Sequence, residues 1–215
     1  MSEPCLPLSH LPACLPRLEE VAAADVRDGA AALGFSIARV LGTEDRRPLA
    51  LVLSPQWSAE WGRPYPLGIA SARPLMLILA RDEGRILWAM EEALKSGAVA
   101  GAVGVADRAD LVATRRLDFA ARSARATGIL LRSKPSDALS AAHLRWRISS
   151  LPSSLHPLDA RTPGASRLRA QLVRRRDGPP GAWDLEHDHE THRLRLAARL
   201  ADHGLVAESR TVVAA

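Results

Sequence analysis

Residues 21–41 read VAAADVRDGAAALGFSIARVL: a short apolar opening, a turn carrying one glycine, then Leu33, Ile37, Val40 and Leu41 at helical spacing. A strand, a tight turn and a helix in that order is where a nucleotide-binding protein places its phosphate loop, G-x-x-x-x-G-K-[ST]. There the glycines let backbone N–H groups wrap the phosphates, the lysine reaches the terminal oxygens and the hydroxyl holds magnesium. With the second glycine of that frame set on Gly29, Ala24 stands at the first glycine, Ala30 at the lysine and Ala31 at the hydroxyl residue. Asp25 and Asp28 add negative charge where a triphosphate would have to lie. The metal-binding acid should close a later apolar strand, yet that strand closes on Val105, with Asp107 and Asp110 beyond it. The element is therefore read as scaffold: no nucleotide cofactor is expected, and no ATPase activity.

Outward from this turn, strands and helices alternate. Leu49–Leu53, Leu75–Ala80, Ala98–Val105 and Gly128–Leu131 are short apolar runs without alternation, the pattern of strands buried on both faces. Between them Ile86, Met90, Ala93 and Leu94 form one helical stripe, and Ala113, Leu117, Ala120, Ala121 and Ala124 another. Such alternation predicts βαβ units and a mostly parallel sheet covered by helices. Residues 1–18 carry four prolines and read as an extended arm.

After residue 150 the pattern changes class. Residues 151–166, LPSSLHPLDARTPGAS, read as a linker rich in proline and serine. RLRAQLVRRR (167–176), AWDLEHD (182–188) and HRLRL (192–196) are period-two segments, which predict an antiparallel meander over 167–203. A tight turn at His189 and Glu190 would set Glu186 opposite Arg193, Asp184 opposite Arg195 and Leu185 opposite Leu194, with one face charged and the other apolar. The expected organisation is one α/β domain over 19–203, with its core at 19–150, and a tail at 204–215.

Charge is unevenly placed. Residues 1–114 hold 11 basic and 14 acidic side chains, net −3, while residues 115–215 hold 18 and 10, net +8. A basic half suits contact with nucleic-acid phosphates or an acidic protein. The candidate contacts are Arg115 and Arg116, Arg145 and Arg147 on either side of Trp146, and Arg174, Arg175 and Arg176. On a strand, Arg145 and Arg147 would share one face and Trp146 the other. The alternative is that these arginines pair with acids across the meander. One tyrosine and two phenylalanines leave little platform for stacking bases, so sequence-reading contact is disfavoured.

His187, His189 and His192 suggest a metal, but three ligands at tetrahedral geometry are hard to draw from one turn, and no metal is expected. No G-x-S-x-G elbow or other nucleophile signature appears. Cys5 and Cys14 fit no CxxC pattern and are read as free thiols. With 47% hydrophobic and 25% charged residues, no run near the roughly 18 apolar residues of a membrane span, and no basic-then-apolar leader, a cytoplasmic protein without membrane contact is expected.

The order of elements then brings a family into view. ILWAMEEALKSGAVAGAVGVADRADLVATRRLDFAARSARATGILLR (86–132) resembles the stretch of the recombinase RecA in which a helix ending in S-G-A-V leads into the metal-acid strand. It is closer to the ImuA family of RecA-like mutagenesis accessory proteins. LRWRISSLPS (144–153) and RLRAQLVRRRDGPPGAWDLEHDHETHRLRLAARLAD (167–202) share that likeness, which spans roughly residues 18–203. The resemblance implies a RecA-like core and a non-enzymatic adaptor role in SOS-induced translesion synthesis. Its implied partners are an ImuB-type, Y-family-like protein and an error-prone polymerase, with a RecA filament and DNA phosphates as further candidates. It also implies recruitment to the nucleoid on damage. RecA's own functional residues do not transfer, since alanines and Val105 occupy their positions, and its two DNA-gripping loops are cut down to about Ala106–Asp110 and Arg132–Asp137. Three rival readings remain: a cell-division inhibitor resembling SulA, a residual ATP-binding repair ATPase, and a plain DNA-binding protein whose affinity falls steeply with salt and shows little sequence preference.

Overall fold

The computed structural model describes residues 11–62, 64–65, 69, 73–156, 158–159, 161–188 and 193–197. The strands are β1 (Leu18–Ala23), β2 (Leu49–Leu53), β3 (Leu75–Leu79), β4 (Gly101–Val105), β5 (Thr127–Arg132), β6 (Leu144–Leu151), β7 (Arg167–Arg175), β8 (Gly181–Asp188) and β9 (Arg193–Leu196). The helices are α1 (Gly29–Leu41), α2 (Pro55–Trp61), α3 (Glu83–Lys95) and α4 (Leu111–Ala124). Among the described residues the nine strands form one sheet in the order β3-β2-β4-β5-β1-β6-β7-β8-β9. Pairing is parallel from β3 through β6 and antiparallel from β6 through β9.

The period of two sorts the sheet into two cores. Leu49, Leu51 and Leu53 of β2 face α1 together with Val103, Ile129 and Trp146, whereas Ala50 and Val52 face Ile86, Met90 and Leu94 of α3 and Leu117 of α4. Phe35 of α1 meets the edge of Trp146 at 5.3 Å between ring centroids, and Trp183 of β8 lies 5.9 Å from the same indole, so one tryptophan ties the parallel half to the meander. Gly101 is required on β4 because a Cβ there would come within 2.7 Å of the Thr127 carbonyl oxygen on β5.

Arginines hold the carbonyl ends of the helices. Buried Arg73 donates to Val40 O at 3.1 Å and to Thr43 O at 3.1 Å behind α1. Arg47 donates to Gly97 O at 2.6 Å behind α3 and to Arg125 O at 2.9 Å behind α4. Both place a cation where the helix dipole is negative.

Two expectations are corrected. LMLIL is not buried on both faces: β3 is the sheet's edge, and Met76, Leu77 and Leu79 are exposed. An apolar run without alternation does not say whether a strand lies inside a sheet or at its rim. The β8–β9 register also differs, pairing Glu186 with Arg195, Asp188 with Arg193 and Leu185 with Leu196. Residues 189–192, where the turn was expected, lie outside the described residues. Because the offset is two residues, each side chain keeps its expected face. α2, whose first turn is capped by Ser54 accepting from Trp57 N at 3.0 Å, had no counterpart in the sequence reading.

Candidate functional site

The turn after β1 is closed by its own side chains. Asp28 is buried and its carboxylate accepts from Asp25 N at 3.1 Å and from Ser150 N, on β6, at 2.7 Å. The Asp25 carboxylate accepts from Arg27 N at 3.1 Å, and Ala24 N donates to Ile148 O at 2.8 Å. The amides that would wrap a phosphate in a phosphate loop are thus taken by carboxylates and a carbonyl of this chain. At Gly29 an added Cβ would stand 2.9 Å from the Trp61 ring, so the indole lies against the first turn of α1. Ala30 is exposed and Ala31 half-buried, and neither supplies a polar group. The residues present at this turn do not fit a nucleoside triphosphate.

A cavity of about 390 Å³ lies next to the turn, beyond the C-terminal ends of β2, β4 and β5, walled by Trp57, Trp61, Asp82, Val105, Asp107 and Lys134 among others. Three of its four lining carboxylates serve neighbouring backbone. Asp82 caps α3 by accepting from Arg85 N at 2.8 Å, Glu83 accepts from Arg108 N at 2.7 Å, and Asp107 accepts from Ser133 N at 2.8 Å. Val105 itself is buried at the close of β4.

Sequence reading missed a pair of adjacent buried carboxylates on β1. Glu19 faces α1, where Arg39 reaches it at 2.5 Å while stacked 5.3 Å over the Trp146 ring, and Trp146 Nε1 donates to it at 2.9 Å. Glu20 faces the opposite side and takes Arg132 on one oxygen at 2.9 Å and Arg145 on the other at 2.8 Å. Burial works against the Arg39 charge, but the Glu19 carboxylate outweighs it and holds the guanidinium above its ordinary pKa. The signal was in the sequence: LEEVAA puts two acids inside a strand that must be buried.

The predicted arginines do not gather into one surface. Arg145, Arg147 and Arg174 come together with Arg132, which had not been nominated, around a cleft of about 220 Å³. Arg115 and Arg176 flank a hollow of about 380 Å³ beside exposed Phe119. Arg116 pairs with Glu91 of α3 at 2.6 Å. Arg175 lies on the α1 side, in a cavity of about 890 Å³ shared with Arg39 and Cys14. Three successive residues at and just beyond the end of β7, Arg174, Arg175 and Arg176, thus serve three separate places. Trp146 does face away from Arg145 and Arg147, as expected.

Cys14 is a free thiol; burial first, and then the Glu19 charge, pushes its pKa up to about 11, so it stays protonated and unreactive at neutral pH. Cys5, His189 and His192 lie outside the described residues, among which no three His, Cys, Asp or Glu side chains are placed to hold a metal ion. Among the described residues, no helix is long and apolar enough to cross a membrane.

Protein ImuA from two strains of Caulobacter vibrioides is 36% identical to this chain over 219 residues, covering 94% of the chain and 88% of the relative. The chain belongs to the ImuA family. No family model matches it. The crystal structure of SulA from Pseudomonas aeruginosa aligns with 20% identity and a TM-score of 0.42, over 56% of this chain and 98% of that one, a likeness too slight to carry an argument. As expected, this ImuA-family chain has an α/β core whose mostly parallel sheet is covered by helices and extended by a C-terminal antiparallel meander.

Proposed function

We propose that this chain is a non-enzymatic, RecA-like accessory protein of damage-induced mutagenic DNA synthesis, acting in the cytoplasm through an ImuB-type protein and an error-prone polymerase. Membership of the ImuA family supports the pathway. The observation that carries the adaptor part is the closed turn after β1, where Asp25, Asp28 and Trp61 hold the place a triphosphate would need. A fold kept without its chemistry acts through its surface. The hollow bordered by Arg115, Phe119 and Arg176 supports this, since exposed aromatic and arginine side chains are the types enriched at protein contacts.

Tagged protein isolated from nuclease-treated extracts of damaged cells should bring down the ImuB-type protein and polymerase components, and Phe119→Ala with Arg115→Glu should reduce that yield at least tenfold. Recovery of a tubulin-like division protein in their place would replace the adaptor reading with the inhibitor reading.

A further inference from the structure

Three strands contribute arginines to one small cleft: Arg132 from β5, Arg145 and Arg147 from β6, and Arg174 from β7, with buried Glu20 of β1 and exposed Asp137 of the loop after β5. Four guanidinium groups thus face two carboxylates. Both oxygens of Glu20 are already taken, by Arg132 at 2.9 Å and Arg145 at 2.8 Å. Arg132 is 2% exposed, yet its buried Nε has no acceptor. Its terminal nitrogens donate to Asp107 O, Ala109 O and Glu20, so Arg132 serves as a fixed buried charge behind the cleft. Arg147 and Arg174 are exposed, and among the described residues no carboxylate lies within ion-pair distance of either.

The cleft is a product of the sheet's irregularity. A bulge on β7 sets Arg174 opposite Arg145 while Leu172 stands opposite Trp146, leaving Val173 as the additional residue. Val173 and Arg174 both line the cleft as a result. Beyond it the same side of the meander carries exposed Gln171 and Arg169, the latter paired with Asp184 at 2.7 Å.

The geometry points to this cleft as the seat of one backbone phosphate of a nucleic-acid strand that crosses the open side of β6 and β7. A phosphodiester supplies the acceptor oxygens and the negative charge that Arg147 and Arg174 lack, and guanidinium groups match it by paired N–H donation. The volume of about 220 Å³ falls below the roughly 300–1,000 Å³ of small-molecule sites, so it admits a phosphate whose chain continues outside. An acidic protein fits less well. Protein contacts centre on apolar and aromatic side chains, while Trp146 and Trp183 turn to the other core and Val173 is the cleft's large exposed apolar residue. For the same reason the bases are not read, and binding depends on salt rather than on sequence.

The test uses fluorescence anisotropy on the full chain with labelled oligonucleotides of mixed sequence, both single-stranded and duplex. Arg147→Glu and Arg174→Glu should each weaken binding at least tenfold and reduce the slope of log K against log salt by about 0.7–0.9. Arg175→Glu, the same charge change on the α1 side, should alter binding less than threefold. Arg147→Gln and Arg174→Gln, checked for unchanged thermal unfolding, should fall in between. The proposal is overturned by absence of binding at low salt, by an equal loss in Arg175→Glu, by tighter binding of polyglutamate than of DNA, or by displacement of DNA with equimolar ATP or inorganic phosphate. It does not rest on the adaptor reading: partner capture from nuclease-treated extracts and oligonucleotide binding by pure protein succeed or fail independently.

Discussion

The turn after β1 and the cleft between β6 and β7 both sit at the ends of sheet strands, and they differ in who supplies the counter-charge. At the turn, backbone donors meet carboxylates of the chain itself, Asp25 and Asp28, and an indole covers what remains. At the cleft, four arginines share one buried and one exposed carboxylate, and a buried guanidinium nitrogen has no acceptor. Polar groups are expensive to leave unpaired in a low dielectric, so a satisfied site can be inert while an unsatisfied one is open to a ligand. The difference teaches that the turn satisfies its own donors, whereas the cleft leaves charge unbalanced.

The largest effect should come from removing the one carboxylate on which the cleft depends. Glu20→Gln leaves Arg132 and Arg145 buried beside a neutral group, which costs about 3–5 kcal/mol in comparable buried pairs. The expected result is a large drop in the denaturant midpoint of unfolding. An added polyanion should restore part of the loss in Glu20→Gln and little in Glu19→Gln, whose partner Arg39 lies on the other side of the sheet. Equal rescue of both variants would break the contrast.

At the turn the expected effect is smaller. Asp28→Ala frees Asp25 N and Ser150 N, and water reaches both residues, since each is exposed. A loss of about 1–2 kcal/mol is expected from the cap. Amide exchange should report it locally, with faster exchange at Asp25 and Ser150 and little change at β4.

Smaller still is the contribution of Glu91, which Lys95 and Arg116 hold from two helices at 2.6 Å each. Burial raises its pKa, but the two hydrogen-bonded cations outweigh burial and bring it below the usual carboxylate range. Its folded pKa is therefore depressed, so the stabilisation is present above the unfolded value of about 4.3 and is lost as pH falls through the folded one. The partners are half-exposed or more, which limits the effect to about 1 kcal/mol or less. Unfolding midpoints of wild type and Glu91→Gln should differ at pH 7 and converge in acid.

Much of the fold was legible in the sequence because burial and period leave the same trace. LALVL matches β2 from end to end, and the helical stripes at Ile86 and Ala113 lie on α3 and α4. What escaped is what period does not encode. The rim position of β3 depends on the order of strands, which no local pattern states. The β8–β9 offset of two residues preserves the alternation, so period alone does not choose between the two registers. That Ala24, Ala30 and Ala31 stand at this turn is plain in the sequence, but what packs against it is not, because Trp61 and Ser150 reach the turn from elements far away in sequence. The clustering of arginines was hidden likewise: Arg174, Arg175 and Arg176 look like one patch in the sequence, and the bulge and strand end divide them.

The smallest expected effect is the sharpest test of the closed turn. Restoring the phosphate-loop side chains alone, as Ala30→Lys with Ala31→Thr, should leave magnesium-ATP binding as it was in a titration with labelled nucleotide. A lysine adds one cation, but triphosphate binding also needs the amides of the loop, and those at Ala24, Asp25 and Arg27 already donate to Ile148 O and to the carboxylates of Asp28 and Asp25. Trp61 against Gly29 occupies the remaining approach. Binding tighter than about 10 μM in this variant, near 7 kcal/mol, would show that the alanines alone had silenced the site. If binding instead appears only after Asp28→Gly and Trp61→Ala are added, the closure itself is the barrier, because Asp25 N then loses its carboxylate acceptor and the indole no longer covers the first turn of α1.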